Sequence, residues 1–190
     1  MQRWFEQIRI KKVEHRRRAA MKRLLLIRHA KSSWSDGAAS DFDRGLNKRG
    51  RRDGPFMAEK LGQRLKEKTL AVDSIVTSPA KRARKTAQFM ARAIAYDTKA
   101  IRYDNGAYCF TAGGIIDVLR RIDDSHDTVV FVGHNHGITE LAERLCGEPL
   151  NNIPTSGIVA IDCSIERWTE LGAPCNTLWF FDYPKKFSRK

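Results

Sequence analysis

Arginine and histidine side chains follow two strongly apolar segments of this sequence. Arg28 and His29 come directly after residues 24–27, and His134 comes just after residues 128–132. A guanidinium group holds a phosphate through two parallel hydrogen bonds, and a neutral imidazole is a nucleophile or proton carrier near neutral pH. These residue types predict chemistry on a phosphate-bearing group. At either place taken alone, a strand that simply ends in solvated polar residues gives the same pattern.

The elements that must position these side chains are strands of a parallel sheet. Short apolar runs bounded by polar loops are typical of buried parallel strands. They occur at residues 24–27 and 128–132, and a mixed run at residues 72–77, second along the chain, is also predicted to be a strand. Ligands of such sheets bind beyond the carboxyl ends of the strands. Arg82 falls in the first turn of the helix predicted after the second run. If the three strands are neighbours, Arg28, Arg82 and both histidines converge at one sheet edge.

Strands and helices alternate along the whole chain. Further strands are predicted at residues 100–103, 158–165 and 177–181. With the apolar helical periodicity between the strands, this alternation predicts a three-layer α/β/α fold with a mostly parallel central sheet. Asn47 is expected to cap a helix that breaks or restarts near Pro55, because proline lacks the backbone N–H that a helix interior needs.

Three motifs resemble those of the histidine phosphatase superfamily, also called the phosphoglycerate mutase-like superfamily. They are RHA at residues 28–30, SPAKRARKTA at 78–87 and GHN at 133–135. The resemblance spans residues 24–187 and is closest to short bacterial members similar to SixA, the phosphohistidine phosphatases. DFDRGLNKRG at residues 41–50 and PTSG at 154–157 are also like these short members. The resemblance implies a phosphoglycerate mutase-like fold.

The resemblance also implies the catalytic roles. His29 is the nucleophile, which takes the phosphoryl group to form a phosphohistidine that water then hydrolyses. Fixed hydrogen-bond donors stabilise the charge on the transferring group. The implied donors are Arg28, Arg82 and His134, and the candidate phosphate-binding residues are these three with Lys31, Ser32 and Asn135. Neither a cofactor nor a metal is implied, so the expected enzyme is a metal-independent phosphatase.

The proton donor departs from the superfamily pattern. Many members place a glutamate after the third strand, whereas this chain has IRYDNGAY there, and Asp104 is the candidate acid. Asp104 is equally consistent with a turn residue, and Asp36 and Asp43 in the first loop are alternatives. An alkoxide leaving group needs a proton, whereas imidazole, with a pKa of about 6.5, departs with less help. A weak or absent acid therefore favours phosphohistidine or another labile protein-borne phosphate as the substrate.

Three other functions share parts of this pattern. A phosphatase for small phosphoesters, or a mutase, would carry the same motifs, although the short loop after His29 favours an open site for a protein-borne phosphate. His134 and His136 could ligate zinc, but Arg28 would repel a cation and His136 is equally placed to start a helix. A nucleic-acid or membrane-surface binding module with a vestigial phosphate pocket would explain the basic N-terminus, but the rest of the chain shows no aromatic and basic stacking platform.

Positive charge is concentrated at the N-terminus. The net charge is +13, and residues 1–23 hold nine Lys and Arg against two Glu. Residues 1–20 are therefore predicted to be a basic extension, flexible or forming a short helix, ahead of one phosphatase domain over residues 21–190. Met21 stands where a natural start of that domain is expected.

Hydropathy and cysteine spacing bear on location. No apolar run approaches the roughly 18 residues that a membrane span needs. The four cysteines are widely spaced without a CxxC motif, which is typical of free thiols in a reducing cytoplasm. The expected protein is cytoplasmic and acts on a phosphorylated protein or a small phosphorylated molecule.

Overall fold

Six strands form the central sheet. They are β1 (Lys22–Arg28), β2 (Ser74–Thr77), β3 (Arg102–Tyr103), β4 (Thr128–Gly133), β5 (Ile158–Cys163) and β6 (Thr177–Asp182). The computed structural model describes residues 21–33, 40–172 and 176–187, and within them the strand order is β3-β2-β4-β1-β5-β6. Strands β1 to β4 are parallel, β5 is antiparallel to β1, and β6 is antiparallel to β5. The predicted mostly parallel α/β sheet is confirmed.

The described residues form four α-helices, which cover the two faces of the sheet. They are α1 (Lys48–Glu67), α2 (Lys81–Ala93), α3 (Ala112–Leu119) and α4 (Gly137–Cys146). Leu25 and Ile27 of β1 pack with α1 and α2, whereas Leu24 and Leu26 pack with α3 and α4. Alternate strand residues point to opposite faces, so a strand covered on both sides is apolar throughout. The result is three layers with the sheet in the middle.

Helix α1 directly follows the loop that leaves β1. The side chain of Asn47 accepts a hydrogen bond from the backbone N–H of Gly50 at 2.9 Å, which confirms the predicted cap. The helix then runs unbroken through Pro55, so the predicted break is wrong. Met57 and Leu61 beyond the proline are fully buried. Burial of each contributes about 1.5–3 kcal/mol, which offsets the roughly 3 kcal/mol that an interior proline costs.

The remaining element boundaries differ from the sequence predictions by a few residues at most. β2 begins at Ser74 rather than at residue 72, and β5 ends at Cys163 rather than at residue 165. His136 precedes α4 as its N-cap residue, as expected. These small differences leave the carboxyl ends of β1, β2 and β4, which carry the candidate site, where they were predicted.

Some sequence predictions fall partly or wholly outside the described residues. Residues 1–20 lie there, so the basic extension and the domain limits stay predictions. Cys175 also lies outside, whereas the other three cysteines, Cys109, Cys146 and Cys163, are free. In the described part of the chain, no helix is long and apolar enough to cross a membrane.

Candidate active site

Two histidines face each other at the carboxyl ends of adjacent strands. His29 follows β1 and His134 follows β4, and their ring centroids are 5.1 Å apart. Arg82, in the first turn of α2, contacts both rings. Its Nε donates to Nε2 of His29 at 3.2 Å, and its Nη2 lies 3.2 Å from Nδ1 of His134. These three side chains form what we call the histidine pocket.

The hydrogen-bond partners of the two rings determine which nitrogens carry protons. Nδ1 of His29 lies 2.8 Å from the carbonyl oxygen of Ala30, which can only accept. Nδ1 therefore carries the proton, and Nε2 presents a lone pair to Arg82. Because arginine can only donate, Nδ1 of His134 is an acceptor, and its Nε2–H donates to Oγ of Ser78 at 2.8 Å. Both rings are neutral, with a lone pair directed at the same guanidinium.

Burial and positive charge favour this neutral state. Burial, reinforced by the charges of Arg82 and Arg28, lowers the pKa of His29 to about 3 against the opposing effect of its bond to Ala30. Burial, reinforced by repulsion from His29 and Arg82, also lowers the pKa of His134 to about 3. The neutral imidazole is the nucleophilic form of histidine. His29 is therefore ready to act as a nucleophile throughout the neutral pH range.

Asp41 holds Arg82 from the other side. The Nη atoms of Arg82 donate to the backbone oxygen of Asp41 and to its Oδ2, the latter at 2.9 Å. Tyr108 donates its hydroxyl hydrogen to Oδ2 at 2.7 Å, and Arg44 donates twice to Oδ1. Burial acts in the opposite direction, but these hydrogen bonds lower the pKa of Asp41 to about 2. The Arg82 side chain, only 2% exposed, is thus balanced by a carboxylate.

Sequence reasoning assigned no role to Asp41 or Tyr108. The DFDRG motif was the one signal for Asp41. Tyr108 gave no signal, because its bond to Asp41 spans 67 positions of sequence. The ring of Tyr108 also packs edge-on against His134 with centroids 5.3 Å apart, and Phe110 contacts the same imidazole. An aromatic wall therefore covers one side of the histidine pocket.

Arg28 is hydrogen-bonded to a turn rather than to the histidine pocket. Its Nη1 donates to the carbonyl oxygen of Ile153 at 2.7 Å and to Oδ1 of Asn152 at 3.2 Å. Asn135 donates to the same Asn152 oxygen at 2.9 Å. Burial lowers the pKa of Arg28, and its partners are neutral oxygens. Arg28 and Asn135 are thus joined through one amide beside His29.

Lys31 and Ser32 have different surroundings although they are adjacent in sequence. Ser32 is buried, and its Oγ accepts a hydrogen bond from Nη1 of Arg44 at 3.1 Å. Because Arg44 also binds Asp41, Ser32 helps to position Asp41 through Arg44. Lys31 instead lines a cavity of about 730 Å³ that Arg28 also lines.

The structure places Asp104 in a cluster of ion pairs. Its carboxylate pairs with Arg102 at 2.8 Å and with Arg121 at 3.2 Å, and it accepts from the backbone N–H of Gly106. Burial opposes the effect, but these contacts lower the pKa of Asp104. None of them involves the histidine pocket. Its role as the proton donor stays a prediction, which this placement does not favour.

The other candidate acids are no better placed. Asp43 accepts a hydrogen bond from Oγ of Ser40 at 2.6 Å, and Asp36 lies outside the described residues. Asp41 contacts Arg82 directly but is an anion at neutral pH because of its lowered pKa. Within the described residues, the pocket therefore has no protonated carboxyl group bonded to it.

The zinc alternative lacks further ligands in the described part of the chain. Both ring nitrogens of His134 are engaged, one by Arg82 and the other by Ser78, and His136 is exposed. Among residues 21–33, 40–172 and 176–187, no three His, Cys, Asp or Glu side chains are grouped so that they could hold a metal ion. The described residues therefore do not support a zinc site at His134 and His136.

Comparison with known proteins identifies the family. The model of the histidine phosphatase superfamily (branch 1) matches residues 24–105. A protein of Mycobacterium tuberculosis is 31% identical over 169 residues, which cover 84% of this chain and 100% of that protein. The chain belongs to the histidine phosphatase superfamily.

Solved structures relate this histidine phosphatase to SixA. A crystal structure from Agrobacterium tumefaciens, described as a candidate phosphohistidine phosphatase SixA, is 28% identical with a TM-score of 0.69, covering 86% of this chain and 98% of that chain. The protein histidine phosphatase SixA complexed with tungstate has a TM-score of 0.70 at 19% identity, covering 87% of this chain and 99% of that chain. The second match shows a shared fold. The expected SixA-like, phosphoglycerate mutase-like fold is confirmed.

The superfamily motifs supply one side chain each to the histidine pocket. RHA provides His29, the segment at residues 78–87 provides Arg82, and GHN provides His134. The motifs are distant in sequence because each follows a different strand of the sheet. In this histidine phosphatase they meet because β4 lies between β1 and β2.

Proposed function

We propose that this histidine phosphatase removes the phosphoryl group from phosphohistidine on a protein, through a phosphohistidine intermediate at His29 and without a metal ion. The observation that carries the proposal is the fixed tautomer of His29. The carbonyl oxygen of Ala30 keeps the proton on Nδ1, so Nε2 presents its lone pair beside Arg82. A nucleophile held in one tautomer and one orientation needs only to release its hydrogen bond from Arg82 before attack.

The reaction proceeds in two displacements. In the first, Nε2 of His29 attacks phosphorus, a P–N bond to His29 forms, and the P–N bond to the substrate imidazole breaks. The phosphorylated ring retains its Nδ1 proton, and the carbonyl oxygen of Ala30 stabilises the positive charge that the ring acquires. In the second, water attacks phosphorus, inorganic phosphate departs, and His29 returns to its neutral form.

Fixed donors around the pocket stabilise the transferring phosphoryl group. The Nε and Nη2 atoms of Arg82 already point at the two imidazole lone pairs. A hydroxyl group both donates and accepts, so Ser78 supports His134 with its proton on either nitrogen. When a phosphoryl oxygen replaces the Nδ1 lone pair as the acceptor for Arg82, His134 changes tautomer: Ser78 then donates to Nε2, and Nδ1–H donates to the phosphoryl oxygen. Such preorganised donors contribute about 3–4 kcal/mol each to lowering the barrier.

The choice of phosphohistidine follows from the acid groups. Asp41 has a lowered pKa and Asp104 is held by two arginines, so neither is suited to protonate an alkoxide. A phosphohistidine ring that is protonated at its second nitrogen leaves as neutral imidazole, whose conjugate acid has a pKa of about 6.5. It therefore departs without an enzymatic acid. The likeness to the Agrobacterium tumefaciens structure, described as a candidate phosphohistidine phosphatase, supports the same substrate.

Substrate profiling tests this proposal. We expect kcat/KM for a phosphohistidine peptide to exceed that for the matching phosphoserine peptide by about 100-fold or more, because the serine oxygen needs a proton in order to leave. Exhaustive chelation should leave turnover unchanged. Equal or faster turnover of the phosphoserine peptide would contradict the substrate assignment. Activity that disappears on chelation and returns with added metal would contradict metal independence.

A further inference from the structure

A basic cavity adjoins Arg28. It has a volume of about 730 Å³ and is bounded by the loop after β1, the first turns of α1, the turn at residues 152–155 and the segment at residues 183–187. Its cationic lining residues are Arg28, Lys31, Arg49, Arg52 and Lys185, and its one acidic lining residue is Asp53. We call this space the basic cavity.

Most of the charge in the basic cavity has no acidic partner. Arg52 pairs with Asp53 at 2.8 Å, and Arg28 donates only to neutral oxygens. Within the described residues, the lining cations that make no side-chain hydrogen bond or ion pair are Lys31, Arg49 and Lys185. The first turn of α1 also contains no acidic residue, so the positive end of the helix dipole adds to the same field. Like charges gathered in this way repel one another unless an anion lies between them.

We propose that the basic cavity binds acidic side chains that flank the phosphohistidine of a protein substrate. The inference rests on the proposed function, because Arg28 connects the cavity to the adjacent His29. Arg49, Arg52 and Lys185 are exposed at the rim, where they meet a surface rather than an enclosed molecule. A small ligand is usually enclosed over most of its surface, so exposed cations favour a protein partner.

An apolar contact at the same rim supports a protein partner. Phe56 lines the cavity and is 37% exposed, and its ring packs edge-on against Phe187 with centroids 5.9 Å apart. A protein surface offers both carboxylates for the cations and apolar side chains for this aromatic pair. The substrate class that fits is therefore a phosphohistidine within an acidic surface patch.

Paired peptides test the proposal with the full chain. One phosphohistidine peptide carries glutamates on both sides of the histidine, and the other carries alanines there. We expect the parent to prefer the acidic peptide in kcat/KM by about tenfold, mainly through KM, since charge pairs at a rim contribute modestly and act on encounter. In the Arg49→Gln/Lys185→Gln double variant, the ratio should fall to about one. The Lys68→Gln/Lys99→Gln double variant loses the same charge from exposed positions outside the cavity and should keep the parental ratio.

Binding distinguishes failure of this proposal from failure of the proposed function. Fluorescence anisotropy with an unphosphorylated acidic peptide needs no turnover, and His29→Asn should bind it as the parent does, whereas Arg49→Gln/Lys185→Gln should bind about tenfold more weakly. Absence of binding by the parent, no preference between the peptides, or an equal loss in the Lys68→Gln/Lys99→Gln variant would overturn the proposal. The proposal would also be overturned if the parent preferred a small bisphosphate over the corresponding monophosphate but did not prefer the acidic peptide over the alanine peptide.

Discussion

The two arginines beside His29 lie in opposite electrostatic surroundings. Arg82 is almost fully buried and is balanced by the carboxylate of Asp41, with both imidazoles held against it. Arg28 donates to neutral oxygens and opens onto a cavity whose cations outnumber its carboxylates. We propose that the difference separates two tasks. A compensated cation is stably fixed for stabilising a transition state, whereas uncompensated cations attract an anion from solution.

The largest expected effect is on Arg82. In Arg82→Lys, kcat on a phosphohistidine peptide should fall about 100- to 1000-fold, because lysine keeps the charge but cannot reach both histidines and Asp41 with one planar group. Arg28→Lys should act more on KM than on kcat. Steady-state kinetics on both variants, with thermal melting as the control for folding, measures the contrast. Equal effects on kcat would remove the distinction between the two arginines.

The next largest effect is expected on the pH dependence of the free energy of unfolding. Each pocket histidine has a folded pKa of about 3. The unfolded value is about 6.5, so between these values the unfolded chain binds more protons. Stability is therefore full above about pH 6.5 and is lost as the pH falls toward 3. We expect the free energy of unfolding to drop by about 2–4 kcal/mol between pH 7 and pH 5.

Denaturant titrations at several pH values check this pH dependence. The double variant His29→Asn/His134→Asn should lose most of the slope between pH 7 and pH 5, because the buried imidazoles that resist protonation are gone. An unchanged slope would show that the histidine pocket does not contain two neutral rings. Asp41 has a pKa of about 2, so it affects the free energy of unfolding only at lower pH and does not contribute to the slope between pH 7 and pH 5.

A smaller effect is expected from substitutions of Asp41 and Tyr108, which hold Arg82 in place. In Asp41→Asn, kcat should fall about tenfold with little change in KM, because a neutral amide holds the guanidinium less firmly by about 1.4 kcal/mol. Tyr108→Phe removes one hydrogen bond to the same carboxylate and should lower kcat less. If Asp41→Asn instead raises kcat, the carboxylate competes with substrate for Arg82 rather than positioning it.

The smallest effect is expected at Asp104. In Asp104→Asn, turnover of a phosphohistidine peptide should stay within about threefold of the parent, because the leaving imidazole needs no enzymatic acid. Turnover of a phosphoserine peptide by both proteins provides the comparison. A loss of three or more decades on phosphohistidine would restore Asp104 as the proton donor.

The sequence predicted those parts of the site that depend on strand ends. His29, Arg82 and His134 each follow a buried strand, and that position is visible in the local apolar pattern. Their meeting also depends on the sheet order, which places β4 between β1 and β2 and which no local pattern records. Asp41 and Tyr108 come from loops, so their contact is a consequence of tertiary packing.

Two features show how tertiary packing changes the surroundings that local sequence suggests. Pro55 argues for a helix break, yet the buried apolar face of α1 continues beyond it. Asp104 occupies the place in sequence where an acid was sought, but Arg102 and Arg121 hold it in ion pairs. Arg102 lies in the same IRYDNGAY segment as Asp104, but the contact with Arg121, 17 positions away in sequence, depends on tertiary packing.

Trapping of the phosphoryl group shows whether His29 carries it during turnover. The parent and His29→Asn are mixed with a ³²P-labelled phosphohistidine peptide, quenched in base within milliseconds, and digested to locate the label. The expected result is acid-labile, base-stable label on the peptide that contains His29 in the parent, and none in the variant. Turnover by the parent without label at His29, or undiminished turnover by His29→Asn, would contradict it.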